Sequence, residues 1–168
     1  MSHTPTNAIT VRLANLADES DAKAVVMLLD AYASDPAGGG EPLSAYAKAN
    51  LVAELARRPQ AFSLLAFDDG KPVGLVNCIE GFSTFACRPL VNVHDVAVLN
   101  THRGRGVGRL MLREAEQHAR TRGACKLTLE VLTGNQPARS LYLALGFADY
   151  QLDPAMGHAS FMQKWLDG

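Results

Sequence analysis

Residues 94–112 read HDVAVLNTHRGRGVGRLML, and the other elements of the chain can be placed around this stretch. An apolar, β-branched run ends at Leu99, a polar loop with three alternating glycines follows, and an amphipathic pattern begins at once. This order predicts a strand, a tight turn and a helix. Alternating glycines let successive backbone N–H groups point into one concavity at the positive end of a helix. The turn is therefore predicted to bind an anion, and a diphosphate would fit it.

The glycine spacing fails to match two familiar phosphate-binding loops. A P-loop requires G-x-x-x-x-G-K-[ST], and the dinucleotide fingerprint G-x-G-x-x-G would require a third glycine at Arg109. The spacing that is present, R-x-x-G-x-G, is formed by Arg103, Gly106 and Gly108 directly after the predicted strand. It resembles the coenzyme A pyrophosphate loop of the GNAT superfamily of acyl-CoA-dependent N-acyltransferases. Taken alone, the loop is equally consistent with a tight structural turn.

A second motif supports the same resemblance. Residues 135–147 read NQPARSLYLALGF, which is similar to the N-x-x-A-x-x-L-Y-x-x-x-G-F segment after the fifth strand of GNAT enzymes. Asn135 and Tyr142 are seven residues apart, nearly two helical turns, so both side chains can line one face of a cleft. In acyl transfer from a thioester, the phenol can protonate the departing thiolate and the amide can hold the pantetheine arm. The alternatives are a helix cap for Asn135 and a core aromatic for Tyr142.

Composition narrows the class of protein. The chain has 168 residues, 48% of them apolar, and a formal net charge of −1, which favours one globular domain over residues 1–168. Lys and Arg are spread rather than clustered, so neither nucleic acid nor a membrane is expected as a partner. The polar N-terminus lacks a signal-peptide core, residues 1–8 are predicted to be flexible, and a cytoplasmic location is expected. Cys78, Cys87 and Cys125 lie in or beside apolar runs and are expected to be buried thiols.

Hydrophobic periodicity and cap residues predict the other elements. Two helices and four strands are predicted before the glycine loop. The strands cover 9–14, 62–67 and 72–79, which form a hairpin, and 91–99. The first helix covers 18–32, and the second is capped by Ser44 and ends at Pro59, with Tyr46, Leu51, Val52 and Leu55 facing inward. After the glycine loop come two helices and three strands: a helix from Val107 stopped by Gly123, a strand over 126–132, a helix from Asn135 to Leu145, and closing strands over 147–151 and 158–164. Residues 35–42 form a loop, either a plain connector or part of a substrate site.

The resemblance implies a GNAT-like α/β (α+β) fold. Such a fold has a mixed, mostly antiparallel sheet of six to seven strands and about four helices, splayed between the fourth and fifth strands, which here end at Leu99 and Leu132. Acetyl-CoA would enter this splay, and the backbone groups of Val96 and Val98 would hold its pantetheine and polarise the thioester carbonyl. The cofactor site would be completed by Asn135 and by the residues of the turn and helix start: Arg103, Gly104, Arg105, Gly106, Val107, Gly108 and Arg109.

Three residues are candidates for the base that must take a proton from an amine acceptor. Residues 82–85, 88–89 and 94–98 resemble the diamine and thialysine N-acetyltransferase branch, which carries Glu-Asp at the positions of His94 and Asp95. Successive strand residues point to opposite faces, so these two face the substrate together only if a bulge intervenes. His94 is preferred, because histidine side chains titrate near neutral pH. Glu80 is the third candidate, with a solvated strand-end charge as the alternative.

The function expected from these features is direct transfer of an acetyl group from acetyl-CoA to a primary amine of a small molecule, without an acyl-enzyme. The alternatives are a non-catalytic acyl-CoA-binding or regulatory module and an acetyltransferase of protein N-termini or lysines. A nucleotide-binding oxidoreductase is disfavoured by the failed dinucleotide fingerprint. The five histidines lack metal-ligand spacing, so no metal is expected. The resemblance to the family alone predicts a homodimer.

Overall fold

The computed structural model describes residues 8–166, and the strands among them form a five-stranded mixed sheet. The strands are neighbours in space in the same order as in sequence: β1 (Thr10–Leu13), β2 (Ala61–Asp68), β3 (Lys71–Ser83), β4 (Arg88–Val98) and β5 (Leu127–Leu129). The first four pair antiparallel, and β5 runs parallel to β4.

The chain divides into two compact units, and the whole sheet belongs to the first. This unit ends at Leu129, and the second begins at Glu130. The expectation of a single domain stays a prediction. The segment 1–8, predicted to be flexible, lies outside the described residues except for Ala8.

The described residues form four α-helices, and three of them begin at a side chain that satisfies a free backbone N–H group. They are α1 (Glu19–Ala33), α2 (Ala45–Ala56), α3 (Val107–Thr121) and α4 (Gln136–Ala144). Asp18, Ser44 and Asn135 each accept from an N–H group in the first turn of their helix, which confirms the cap predicted at Ser44. α3 instead begins at Gly106, which is left-handed and offers no side-chain cap. Within residues 8–166, no helix is long and apolar enough to cross a membrane.

Helices cover both faces of the sheet. On one face, called the α1 face, Val25 and Leu28 of α1 form a core with Leu65, Leu75 and Ala97. On the opposite α3 face, α3 packs closely over Gly74, since a Cβ at that position would lie 2.8 Å from Met111 Cε. The α3 residues at four-residue spacing are buried, which confirms the predicted inner face: Val107, Met111, Ala115 and Ala119.

A β-bulge interrupts the pairing of β3 with β4. Asn77 lies opposite Asp95 and Cys78 lies opposite Val93, so His94 is an extra residue without a partner on β3. Residues opposite one another share a face, and Asn77 shares its face with Leu75, two residues away. Asp95 therefore lies on the α1 face.

The parallel ladder between β4 and β5 is short. It joins Val91 to Leu127, Asn92 to Thr128 and Val93 to Leu129, whereas β4 continues to residue 98. This is the strand pair for which a splay is predicted. The last five residues of β4, 94–98, extend past the final β4–β5 pair that the structure describes.

The predicted closing strands over 147–151 and 158–164 are wrong, because the described part of the chain after α4 contains no strand. The sheet accordingly has five strands rather than six to seven, although the α/β class and the four helices are as predicted. Residues 148–166 are exposed throughout. An alternating pattern shows only that a segment suits a strand, and the strand forms only where a neighbour supplies its hydrogen bonds.

Two expectations about burial are also wrong. The sequence predicts Tyr46 on the inner face of α2, but it lies in the first turn and is 76% exposed. Cys87 is exposed in the turn between β3 and β4, where its φ is 50°. Cys78 is buried as expected, and burial raises the pKa of its thiol to about 12.

Candidate functional site

The turn between β4 and α3 leaves backbone N–H groups without a partner within the helix. Gly104 and Gly106 have φ angles of 73° and 82°, a left-handed conformation that favours glycine. A Cβ at either position would meet no atom within 4 Å, so conformation rather than crowding requires glycine. The first turn of α3 has neither a side-chain cap nor an acidic residue. The N–H groups of Val107, Gly108 and Arg109 therefore have no intrahelical acceptor and lie at the positive end of the helix dipole.

Two of the arginines around this turn are paired with carboxylates. Arg103 Nη2 lies 3.0 Å from Asp35 Oδ2, and Arg105 Nη2 lies 3.2 Å from Asp68 Oδ2. These contacts fasten the turn to the end of β2 and to the segment after α1. Arg109 forms no ion pair with any residue that the structure describes, so its charge is not balanced by a protein carboxylate.

The last residues of β4 direct backbone groups away from β3. The Leu99 N–H donates to the Val73 carbonyl at 3.0 Å and so points toward β3. Backbone directions alternate along a strand, so the N–H and C=O groups of Val96 and Val98 point the other way. Consistent with this, Arg103 Nε donates to the Val98 carbonyl at 3.2 Å. The N–H groups of Val96 and Val98 thus face the side of β4 where the ladder with β5 has already ended.

The bulge residue His94 is exposed and contacts a neighbouring amide. His94 Nδ1 lies 3.3 Å from Asn92 Oδ1, and Asn92 Nδ2 donates to Thr128 Oγ1 at 3.1 Å. An amide oxygen only accepts, so Nδ1 is the donor in this contact and Nε2 takes no part in it. Asn92 lies opposite Ile79, on the α1 face. The bulge therefore brings His94 and Asp95 to one face, which is the condition that the sequence left open.

A buried hydrogen-bonded chain leads to Asp95 from the middle of the sheet. Ser63 Oγ donates to Asn77 Oδ1 at 2.6 Å, and Asn77 Nδ2 donates to Asp95 Oδ2 at 3.0 Å. Ser63 and Asn77 are 3% and 4% exposed, whereas Asp95 is half-buried. Sequence reasoning missed Ser63 and Asn77. The available signal was a lone hydroxyl in the apolar run 61–67 and a lone amide in the apolar run 73–79.

Tyr32, near the end of α1, is a further residue that sequence reasoning did not single out. It lines a shallow cavity together with Leu28, Asp35, Leu99 and Arg103. Burial raises the pKa of the Tyr32 hydroxyl above its usual value, and the nearby carboxylates of Asp95 and Asp35 add to the effect. The cavity is therefore bordered by a phenol within electrostatic reach of Asp95.

Glu80 is not brought together with the other two candidate bases. It lies opposite Val91 on the α3 face, and its Oε2 is 3.1 Å from Arg122 Nη1. The Arg122 guanidinium also lies over the Phe62 ring, 4.7 Å from its centroid. Glu80 thus takes part in the packing of the end of α3.

The second unit contains the two remaining predicted site residues. Asn135 Oδ1 accepts from the Ala138 N–H at 3.3 Å and so caps α4, the structural role weighed for it above. Tyr142 is half-buried, and its ring meets Phe147 edge-on with the centroids 5.9 Å apart. Gly146 follows the helix with a φ of 92°, the left-handed conformation in which glycine commonly ends a helix. The cap uses the oxygen of the Asn135 amide rather than its nitrogen.

Known proteins share both the sequence pattern and the fold. A streptothricin acetyltransferase of Streptomyces lavendulae is 39% identical over 87 residues, which are 50% of this chain and 46% of that protein, so the match spans about half of the relative's length. An uncharacterized N-acetyltransferase of Bacillus subtilis (strain 168), YhfO, is 30% identical over 139 residues, which are 79% of this chain and 87% of that protein.

A solved structure has the same fold at low sequence identity. The ribosomal-protein-alanine N-acetyltransferase from Brucella melitensis biovar Abortus 2308 superposes with a TM-score of 0.71 at 22% identity, over 94% of this chain and all of that one (100%). The model of the acetyltransferase (GNAT) family matches residues 25–147. Because this match takes in the glycine turn, the bulge and α4 together, the chain belongs to the acetyltransferase (GNAT) family.

Proposed function

We propose that this protein transfers the acetyl group of acetyl-CoA directly to a primary amine of a small molecule. The observation that carries the proposal is made at the end of β4, where the N–H groups of Val96 and Val98 face away from β3. The turn that follows ends at the start of α3, whose first N–H groups have no side-chain cap. A thioester and, further along the same molecule, a pyrophosphate match these two features in their order. Membership of the acetyltransferase family supports the same reaction.

Binding of the pyrophosphate is assigned to the turn and the start of α3. The N–H groups of residues 107–109 would donate to it, and Gly106 keeps the approach open. Arg109 has an unbalanced positive charge and would meet a phosphate. Arg103 and Arg105 are engaged by carboxylates, so we assign them to holding the turn in shape.

His94 is assigned the role of base. Its Nδ1–H is donated to Asn92, so Nε2 can take the extra proton of the ammonium group, and the neutral amine nitrogen that results attacks the thioester carbonyl. The C–N bond forms and the C–S bond breaks, while the N–H groups of Val96 and Val98 stabilise the charge on the carbonyl oxygen. Glu80 is left out of this set, because it lies on the α3 face and pairs with Arg122.

The leaving thiolate requires a proton, and the family resemblance of residues 135–147 assigns it to Tyr142. The same resemblance assigns Asn135 to the pantetheine arm. The helix cap occupies the oxygen of the Asn135 amide, so its nitrogen is the group that we assign to this contact. These two assignments rest on the motif.

A small-molecule acceptor is favoured over a protein. A relative at 39% identity is a streptothricin acetyltransferase, which makes amines of that kind the first acceptors to test. The resemblance of residues 82–98 to the diamine and thialysine branch adds small diamines. Acetylation of protein N-termini or lysines and a non-catalytic acyl-CoA-binding module are the alternatives. The homodimer rests on the resemblance alone and stays a prediction.

A panel of amines supplied with acetyl-CoA tests the proposal. The purified protein would be incubated with streptothricin, diamines, aminoglycosides, amino acids or peptides, with thiol release followed by a chromogenic reagent and products by mass spectrometry. We expect release of coenzyme A that depends on a small amine, and a product heavier by one acetyl group. Turnover confined to peptides would favour the protein acetyltransferase. Coenzyme A binding without turnover of any amine would favour the non-catalytic module.

A further inference from the structure

We propose that Asn77, held in turn by Ser63, is a positioning residue that fixes the carboxylate of Asp95 on the α1 face, where this carboxylate receives the ammonium group of the acceptor. The inference rests on the proposed function. It adds an acceptor-binding carboxylate and two residues of the sheet interior that hold it.

The orientation of the Asn77 amide is set from both sides. Ser63 Oγ lies 2.6 Å from Asn77 Oδ1, and because an amide oxygen cannot donate, the hydroxyl donates to it. The amide nitrogen, which only donates, then faces Asp95 Oδ2 at 3.0 Å. Both Ser63 and Asn77 are almost fully buried, where an unpaired polar group is costly, so the chain is held as a unit. One oxygen of Asp95 is thereby fixed, and among the described residues Oδ1 takes no hydrogen bond.

The bulge is what brings Asp95 to this chain. With His94 as an extra residue, Asp95 lies opposite Asn77. In an uninterrupted ladder continuing from Val93 and Cys78, Asp95 would lie opposite Val76, which is on the α3 face and fully buried. A carboxylate there would meet the apolar core under α3. The bulge thus moves the charge to the α1 face and onto the donor that Asn77 supplies.

The charge of Asp95 is not balanced by the protein. Three other aspartates of the same unit are paired with arginines, namely Asp21 with Arg12, Asp35 with Arg103 and Asp68 with Arg105. Within residues 8–166, no lysine or arginine pairs with Asp95, and its hydrogen-bond donor is a neutral amide. A half-buried carboxylate without a cation is stabilised by a cationic ligand. A primary amine supplies one, because it arrives largely as an ammonium ion.

The surroundings of Asp95 place it beside the proposed reaction. His94, the assigned base, precedes it at the bulge and shares its face. On the α1 side, Tyr32 is close enough for the Asp95 charge to act on its hydroxyl. Tyr32 also lines the cavity that reaches Val98, whose backbone is assigned to the thioester. An ammonium bound at Asp95 would therefore be next to the group that removes its proton.

The test uses a double substitution that removes the hydrogen bonds leading from Ser63 through Asn77 to Asp95, while the substituted side chains keep nearly the same size. Ser63→Ala combined with Asn77→Leu takes away both buried partners, so neither is left unpaired. In steady-state assays we expect the KM for the amine acceptor to rise about tenfold, because ground-state binding is lost, while kcat and the KM for acetyl-CoA stay within about twofold. Asp95→Asn should raise the acceptor KM by a similar factor. A triple variant that combines Ser63→Ala, Asn77→Leu and Asp95→Asn should have an acceptor KM no higher than that of the double variant or of Asp95→Asn, because all three changes act through the same carboxylate.

Ser83→Ala is the matched control. Ser83 is also buried on β3, but its hydroxyl oxygen accepts from the Ala86 N–H in the adjacent turn, so its loss should leave both KM values unchanged. A thermal scan checks folding, and Asn77→Ser, too short to bridge both partners, replaces the double variant if that variant fails to fold. An unchanged acceptor KM in a folded variant, or effects that multiply in the triple variant, would overturn the role of Asn77. A wild-type protein that turns over no amine at all would overturn the proposed function, and this inference with it.

Discussion

His94 has two distinct effects at the scale of the single residue. Its backbone is the extra residue of β4, and because of it Asp95 and the residues after it lie on the opposite face of the sheet from the one they would occupy in an uninterrupted ladder. Its side chain is the assigned base, with Nδ1 engaged by Asn92. A substitution that keeps the backbone but removes the imidazole separates these effects.

His94→Ala should lower kcat/KM by about 10²-fold or more, in the range for loss of a general base. The bulge should persist, because it is a property of the backbone pairing. The assay should be repeated with acceptors of different basicity, because a more acidic amine gives up its proton with less help from a base. His158→Ala is the control, because His158 is exposed and outside the assigned set. A kcat/KM at the wild-type level in a folded His94→Ala variant would remove His94 from the mechanism.

Tyr142→Phe should lower kcat by about 10²-fold with little change in the affinity for acetyl-CoA. The ring and its edge-on packing against Phe147 remain, whereas the proton for the leaving thiolate is lost. Steady-state kinetics with a saturating acceptor, together with calorimetric titration of coenzyme A, would separate turnover from binding. Wild-type turnover in this variant would mean that water protonates the thiolate.

At the scale of the element, the start of α3 is expected to bind the pyrophosphate through its backbone. Gly106→Val should weaken coenzyme A binding at least tenfold, or about 1.4 kcal/mol, because valine strains the left-handed turn and projects into the open space beside it. Gly123→Val is a matched control at the other end of α3, where φ is 76° and a Cβ would also meet no atom within 4 Å. Calorimetry should show normal affinity for the control. Equal affinities in two folded variants would refute the assignment.

The attachment of α1 to β1 depends on one buried carboxylate. Asp21 is 2% exposed, lies 2.6 and 2.8 Å from the Arg12 guanidinium, and accepts the Asn15 N–H at 2.8 Å. Asp21→Asn should lower the free energy of unfolding by about 2–3 kcal/mol, because charged hydrogen bonds are lost. Glu19→Gln breaks only an exposed pair with Lys23 and should cost less than about 1 kcal/mol. Urea denaturation at neutral pH measures both.

The same carboxylate predicts a dependence on pH. The Arg12 guanidinium, followed by the Asn15 N–H, holds the pKa of Asp21 below its ordinary value. The stability that the charged form contributes is complete above the ordinary value, near about pH 4, and is lost as the pH falls through the lower value of the folded state. The difference between the wild type and Asp21→Asn should therefore shrink in acid. A difference that is the same at neutral pH and at about pH 2.5 would contradict this account.

At the scale of the whole molecule, coenzyme A should stabilise the protein against heat. A ligand that binds only the folded state, supplied at about 100 times its Kd, adds about 2.7 kcal/mol to the free energy of unfolding. For a chain of this size the Tm should rise by about 5–10 °C. A thermal scan with and without coenzyme A measures the shift, and Gly106→Val at the same ligand concentration should show much less of it. A wild-type Tm that coenzyme A leaves unchanged would count against the binding site itself.

The sequence by itself determined the features whose physical causes lie within a few residues. Asp18, Ser44 and Asn135 begin helices because each side chain reaches an N–H group of the next turn. Gly106 marks the start of α3 because its left-handed φ favours glycine. The R-x-x-G-x-G turn and the 135–147 motif are built from such local signals. For this reason these two motifs show the resemblance to the family without any knowledge of the tertiary contacts.

The tertiary structure alone decided which distant side chains meet. Asn77 and Asp95 are 18 residues apart and Arg103 and Asp35 are 68 apart, so no local pattern records either contact. The first contact exists only because His94 shifts the register of β4, and the closing strands expected over 147–164 fail because an alternating pattern cannot supply its own partner. The physical reason is the same in both cases. Hydrogen bonds across a sheet depend on the neighbouring strand and its register, and these are set only when the whole chain has packed.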